Sequence, residues 1–332
     1  MDVSVAMCTY NGTPHIQDQL DSILSQTHPP SEIVVCDDGS SDGTTEILEN
    51  YHKNHSKLIE IHSNEQNLGI TNNFEKCIRL CSGDVIALSD QDDVWEKTKI
   101  QRQIDAMQET DADLAFHNTI ITDESLNKVD DYWSRISYTP GLVKDVELSI
   151  RDLLKGNFIS GHTMMFRSQL KDALLPIPES WMYDYYISIK SIIAEKVVDI
   201  DDCLVKHRYH EKQTTGAQLP SLTRFDGIRR GIETSFQENA QHFTPQRWAA
   251  LYDDIRQIDP NKLDIEKDKI LNLIEDRWIY EYNRSKIYDR DVRTPNRIKT
   301  TISNFTSKRY HNYESTSPIL FLLKDLYSAF VA

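Results

Sequence analysis

The residues best suited to chemistry lie in Ser89-Asp-Gln-Asp-Asp-Val-Trp95, directly after an apolar run ending at Leu88. Asp90 and Asp92 form a D-x-D pair. Alternate residues of extended chain point the same way, so both carboxylates can face one site. Hard divalent cations take oxygen ligands, and Mg²⁺ is usually held by one or two carboxylates plus substrate phosphates. The pair therefore suits a metal–diphosphate site, although the same residues would also make a solvated acidic turn. A second run, Cys36-Asp-Asp-Gly-Ser-Ser-Asp-Gly43, offers Asp37 and Asp38 as partners for a base or ribose, with Gly39 allowing close approach. It also reads as a strand-to-helix turn capped by Ser41 or Asp42, and the two readings are compatible. In Thr9-Tyr-Asn-Gly12, Tyr10 stands where an aromatic could stack on a nucleobase or simply pack.

These segments must be held by the elements around them. Short apolar runs (Val3–Cys8, Ile33–Cys36, Leu58–His62, Asp84–Leu88, Asp113–Phe116) alternate with helical patterns over 16–24, 44–51, 70–80 and 97–107. That alternation predicts an α/β fold with a mostly parallel sheet covered on both faces. Ligands bind such sheets beyond the carboxyl ends of the strands. Segments 9–12, 37–43 and 89–95 all follow strands and should gather on one edge. The stretch from about 130 to 216 is mixed, with helix signals at 150–155, 168–175 and 185–194. From about 221 the pattern is helical, as in Trp248, Leu251, Tyr252 and Ile255. The expected division is a domain over 1–216, with halves of about 1–120 and 121–216, and a helical C-terminal region over 217–332.

The 332 residues carry a net charge of −15, which argues against nucleic acid as a partner. The charge is uneven: residues 284–332 hold nine bases and four acids, leaving a +5 tail on a −20 body. No run reaches the roughly 18 apolar residues of a membrane span. The N-terminus lacks a signal-peptide pattern, and five cysteines suggest no disulfide framework, so a cytoplasmic protein is expected. Cys77 and Cys81 have no neighbouring histidine to complete a zinc site and read as packing residues. There is no G-x-G-x-x-G, Walker loop, G-x-S-x-G or H-E-x-x-H. Without a glycine-rich cradle, phosphate charge would fall to a metal.

Four motifs in order resemble family 2 glycosyltransferases of the GT-A fold: T-Y-N-G; V-V-C-D-D-G-S-S-D-G-T; N-x-G-x-x-x-N-F at Asn67, Gly69, Asn73 and Phe74; and S-D-Q-D-D-V-W. The likeness covers about residues 1–216 and is nearest to rhamnosyltransferase-like bacterial enzymes of cell-surface polysaccharides. It implies inverting sugar transfer from a UDP- or dTDP-sugar to a glycan or lipid-linked acceptor, with Mg²⁺ or Mn²⁺. Thr9, Tyr10, Asn11, Asn67 and Gly69 would line the nucleotide, with Tyr10 stacking on the base. Asp38 would bond its ring nitrogen. Asp90 would serve the ribose or the metal, and Asp92 would ligate the metal.

The resemblance further implies a carboxylate base in Trp181-Met-Tyr-Asp-Tyr-Tyr186, namely Asp184, although Tyr183 stands where the family often has His. His207-Arg-Tyr-His210 matches a Y-R-x-H pattern except at its first position. It makes His210 a metal or diphosphate ligand and Arg208 a phosphate partner. Gly156 to Phe166 resembles the strand lining the donor-sugar pocket. A nucleotidyltransferase and a non-catalytic glycan-binding or scaffold protein are the alternatives. The first usually needs a basic glycine-rich loop, and Thr9–Gly12 has no Lys or Arg. In the tail, Lys308 and Arg309 precede Ile319, Leu322, Leu323, Leu326, Tyr327, Phe330 and Val331 on one helical face. Such a helix could lie peripherally on an anionic membrane, or dock on the protein or on a second subunit.

Overall fold

The computed structural model describes residues 1–210, 244–289, 291–313 and 318–331. Among the described residues nine strands form one sheet: β1 (Val3–Thr9), β2 (Glu32–Asp37), β3 (Ile59–Ser63), β4 (Val85–Ser89), β5 (Val94–Trp95), β6 (Leu114–Thr122), β7 (Lys128–Asp131), β8 (Met165–Arg167) and β9 (Val197–Arg208). Their order is β3-β2-β1-β4-β8-β6-β9-β5, with β7 beside β6. β1, β2, β3 and β4 pair in parallel, as do β6 and β9. β8 enters antiparallel between β4 and β6.

The helices between these strands are α1 (Ile16–Leu24), α2 (Thr44–Asn54), α3 (Ile70–Leu80), α4 (Lys99–Thr110), α5 (Tyr132–Ile136), α6 (Val146–Leu153), α7 (Lys171–Leu174) and α8 (Tyr183–Ala194). β1, β2 and β4 are apolar almost throughout because they are buried on both faces. Ile16, Leu20 and Ile23 of α1 and Ile100, Ile104 and Met107 of α4 complete a core with Val3, Val5, Met7, Ile33 and Val35.

Three elements depart from the sequence reading. The strand expected to stop at Phe116 runs on to Thr122, because β9 pairs with it along its length. β9 itself alternates charge with apolar residues (VVDIDDCLVKHR) and lacks the continuous apolar run that marks the central strands. The helix expected over 168–175 breaks into a 3₁₀ turn at Ser168–Leu170 and the four-residue α7. The helix expected from Tyr185 starts at Tyr183, which puts Asp184 in its first turn, where a carboxylate meets the helix N-terminus.

The chain divides into two compact units, residues 1–146 with 157–219 and residues 147–156 with 220–332. The boundary expected near 217–222 lies outside the described residues. The second unit contains helices Pro245–Gln257, Lys267–Tyr288, Thr294–Thr306, Arg309–Tyr313 and Pro318–Val331. Its interior is tied by charge. Buried Asp325 accepts hydrogen bonds from Arg284 (3.2 Å) and from the hydroxyls of Tyr288 (2.8 Å) and Tyr310 (2.5 Å). Glu281 takes Arg247 at 2.6 Å and Arg277 at 3.0 Å.

This pairing shows which residues of the last helix turn inward. Lys324, Asp325 and Ala329 are buried, while Ile319 and Leu323 are 60% and 59% exposed. The side chains of Tyr327, Phe330 and Val331 lie outside the described residues. Arg284, Arg297 and Lys324 are buried too, so the +5 tail is not one open basic surface. Among the described residues no helix is long and apolar enough to cross a membrane.

Candidate active site

β1, β2 and β4 end side by side, with Thr9 opposite Asp37 and Met7 opposite Ser89. The three segments after them are bonded into one edge. Asp38 N–H donates to Thr9 O at 2.8 Å. Asn11 N–H donates to Ser40 Oγ and Gly12 N–H to Thr44 Oγ1. Gln91, the middle residue of D-Q-D, clasps the backbone of Tyr10 from both sides: its Oε1 accepts from Tyr10 N–H at 2.8 Å and its Nε2 donates to Tyr10 O at 3.0 Å. A Cβ on Gly12 would sit 2.5 Å from Gln91 Oε1, so a larger residue there would have to displace the Gln91 side chain. Tyr10 is left 51% exposed, available for stacking. Gln91→Ala is expected to loosen this turn and weaken nucleoside-diphosphate binding by roughly tenfold with little change in melting temperature, as two hydrogen bonds are lost at a half-exposed position. Calorimetry with UDP checks this; unchanged affinity would remove Gln91 from the site.

The other residues expected to line a nucleotide are brought together, several of them already engaged. Thr9 Oγ1 donates to Asp37 at 2.7 Å. Asn11 accepts from Ser41 N–H at 2.9 Å and holds φ 50. Buried Asp38 accepts from Asn64 Nδ2 (2.8 Å), Leu68 N–H (2.7 Å) and Gly69 N–H (3.0 Å), and Asn67 Nδ2 reaches Asp38 O at 3.2 Å. Asp38 thus organises the 64–69 segment. Buried Arg208 is likewise committed, to Asp18 Oδ2 (2.8 Å), Asp92 O (3.1 Å) and Glu124 O (2.7 Å).

The acidic centre lies where β5 pairs antiparallel with β9, which delivers His207, Arg208 and His210 beside the D-x-D segment. Asp92 Oδ2 and His210 Nε2 face each other at 2.9 Å. Burial pushes Asp92 up, but the His210 hydrogen bond and the His207 and His210 charges outweigh it and hold Asp92 below the usual range. Asp90 goes the other way, pushed up to about 6 by burial and the Asp92 charge.

Behind them Asp93 is fully buried. Its Oδ1 bonds His207 Nδ1 at 2.8 Å, and its Oδ2 has no hydrogen-bond partner. Burial opposes a charge on His207, yet Asp93 raises it to about 9. His162 stacks on His207, its ring within 4° of parallel at 4.7 Å, and burial pulls it down to about 4. Asp93, His162 and His207 offer ligand atoms within 4.8 Å of one another, a second group able to hold a cation. The parallel rings weigh against it, since one ion cannot lie in both ring planes. Sequence reasoning left Asp93 unassigned and passed over His162, because their proximity depends on strands far apart in the chain.

Asp184 sits half-buried at the start of α8. Burial pushes it up to about 6, against hydrogen bonds from Tyr185 N–H (2.7 Å), Gly161 N–H and the Asn157 side chain. The site therefore pairs a metal-ready acidic edge with a separate carboxylate poised to exchange a proton near neutrality.

Residues 4–174 match the family described as Glycosyl transferase family 2, and the chain belongs to that family. It is 34% identical over 114 residues to TuaG of Bacillus subtilis (strain 168), named as a candidate teichuronic acid biosynthesis glycosyltransferase. That match covers 34% of this chain and 45% of TuaG, so the alignment spans less than half of that relative. The structure superposes on S. aureus TarS 1–349 in complex with UDP-GlcNAc, with TM-score 0.60 and 17% identity, over 98% of this chain and 90% of TarS 1–349. It also superposes on the Pyrobaculum calidifontis mannosyltransferase PcManGT in complex with GDP-Man and Mn²⁺, with TM-score 0.54 and 13% identity, over 99% and 86% of the two chains. The fold is GT-A.

Proposed function

We propose that the chain is an inverting, metal-dependent glycosyltransferase that moves a sugar from a UDP- or dTDP-sugar to a hydroxyl of a glycan or lipid-linked glycan in cell-surface polysaccharide synthesis. The observation that carries this reading is the placing of Asp92 against His210 at one sheet edge, with Asp184 on a neighbouring helix start. The nucleotide-sugar complexes of TarS and PcManGT support it.

The donor set fits a divalent cation: the Asp92 carboxylate and the His210 imidazole converge, and Asp90 lies two residues away. Mg²⁺ or Mn²⁺ bound there would supply Lewis-acid stabilisation to the departing diphosphate. Tyr10 stacks on the base, and Asp38 keeps the 64–69 segment against it. Asp184 accepts the proton of the acceptor hydroxyl as that oxygen bonds to the anomeric carbon. The bond from that carbon to the diphosphate oxygen breaks on the opposite face, which inverts the centre. The direct test is release of nucleoside diphosphate from a panel of nucleotide-sugars with Mn²⁺.

A lipid-linked acceptor would place the enzyme peripherally at the inner face of the cell membrane. Outward Ile319 and Leu323, with exposed Lys299 and Lys308 in the same unit, support this. The double variant Ile319→Asp, Leu323→Asp is expected to lose most co-sedimentation with anionic phosphatidylglycerol vesicles. Partitioning equal to wild type would remove the membrane role.

A further inference from the structure

Asp93 directly follows the D-x-D pair, yet the chemistry above gives it no part. Its side chain is fully buried. Its Oδ1 accepts from two consecutive residues of β9: from His207 Nδ1 at 2.8 Å and from the N–H of Arg208 at 3.3 Å. A carboxylate only accepts, so His207 Nδ1 carries the proton of the first bond. The neighbouring backbone is tied to the same place, since Arg208 Nε donates to Asp92 O at 3.1 Å. In the antiparallel pairing of β5 with β9, Val94 stands opposite Lys206. These bonds carry that register on through side chains, with Asp93 meeting His207 and Asp92 meeting Arg208.

The two sides of this contact are not held equally. β9 is fixed from its other edge, where Arg208 pairs with Thr122 of β6 and Tyr209 N–H donates to Thr122 O at 3.0 Å. The His207 ring lies flat against His162 and meets the Tyr209 ring edge-on at 5.4 Å. His162 is itself bonded through Nε2 to Thr119 Oγ1 at 3.1 Å. Residues 90–93, by contrast, lie in no strand. Their place depends on side-chain contacts such as those of Gln91 with Tyr10 and of Asp93 with His207. Two residues past Arg208, His210 Nε2 faces Asp92 Oδ2 at 2.9 Å.

We infer that His207 is a positioning residue: through Asp93 it seats the D-x-D turn on β9 so that Asp92 and His210 face one another. The inference rests on the roles proposed above for Asp92 and His210. It gives Asp93 and His207 a task other than ligation, since Asp93 Oδ1 and His207 Nδ1 are already bonded to each other. Groups that hold metal ligands in place typically influence metal affinity or activity by about 10–100-fold. The lower end is expected here, because His207 acts through Asp93 and the peptide link to Asp92.

His207→Phe keeps a ring against His162 and removes the donor. His207→Asn places an amide N–H near the position of Nδ1 and restores it. Mn²⁺ binding is read from the electron paramagnetic resonance signal of free Mn²⁺, titrated with full-length protein in the presence of UDP. His207→Phe is expected to weaken Mn²⁺ binding about tenfold, and His207→Asn to stay within about threefold of wild type. His207→Phe also leaves a buried carboxylate without its imidazole partner, so the double variant Asp93→Leu, His207→Phe is measured beside it. Replacing both partners by apolar groups can be nearly neutral for stability. The hydrogen bond is still gone, so the same loss of about tenfold is expected. Wild-type Mn²⁺ affinity in the double variant would overturn the inference, as would a lowered melting temperature without a change in affinity. A double variant that does not fold would overturn it too, by making the pair a requirement of the fold and not of the site. Equal losses in His207→Asn and His207→Phe would make the imidazole itself the needed group, which also contradicts it. Asp92→Ala serves as the control. Loss of Mn²⁺ binding there with wild-type binding in the His207 variants sinks the His207 role alone, whereas retained binding in Asp92→Ala sinks the metal assignment and this inference together.

Discussion

Asp184→Asn is expected to lower sugar transfer by about 10²–10⁴-fold, the range typical of a lost general base. Nucleoside-diphosphate affinity should stay within about threefold of wild type, because Asp184 is proposed to act on the acceptor hydroxyl and not on the diphosphate. The amide oxygen can still accept from Tyr185 N–H, so the helix start should hold. The pH profile adds a second signature. Burial pushes Asp184 up to about 6 in the free enzyme, and a base works only when deprotonated. kcat/KM, which reports the free enzyme, should therefore fall as pH drops through about 6, by roughly tenfold per unit below it. Asp184→Asn should flatten that limb. A steady-state series from pH 5 to 8 measures both effects. Asp184→Asn retaining more than about a tenth of wild-type turnover would show that another group takes the proton.

Asp92→Ala should act on binding as well as on rate. It removes the carboxylate that faces His210 at 2.9 Å. A metal at this site would lose an anionic ligand, and the leaving diphosphate its Lewis acid, an effect worth several kcal/mol. The expected result is a loss of at least about 100-fold in both UDP affinity measured with Mn²⁺ and turnover. Affinity measured with EDTA present should barely differ between wild type and variant. A turnover loss without any change in Mn²⁺-dependent UDP binding would place the metal elsewhere, with Asp93, His162 and His207 the next set to substitute.

Much of the edge where β1, β2 and β4 end was legible in the sequence because its logic is local. A strand with continuous apolar residues must be buried on both faces, and the polar turn after it must emerge at an edge. That reasoning places Thr9–Gly12, Asp37–Gly43 and Ser89–Trp95 together, and the bonds among Asp38, Thr9, Asn11, Gln91 and Tyr10 tie them. It does not reveal what each side chain already holds. Asp38 and Arg208 look like open ligand groups in a motif, yet each is bonded by several internal partners. β9 was invisible as a strand because its charged residues break the apolar pattern, and with it went the proximity of His207 to Asp93. The partners of the last helix were hidden for the opposite reason. Periodicity assigns charged residues to solvent, whereas Asp325 is buried by a specific network with Arg284, Tyr288 and Tyr310. No spacing rule encodes such long-range pairing, nor the stack of Tyr183 on Phe74.

The most direct test of the central claim is nucleoside-diphosphate release from UDP-, dTDP- and GDP-sugars by the full-length protein, compared in Mn²⁺ and in EDTA. The account predicts slow release from at least one UDP- or dTDP-sugar in Mn²⁺, abolished by EDTA and by Asp92→Ala. Release that is the same in EDTA, or that survives in Asp92→Ala, would contradict it.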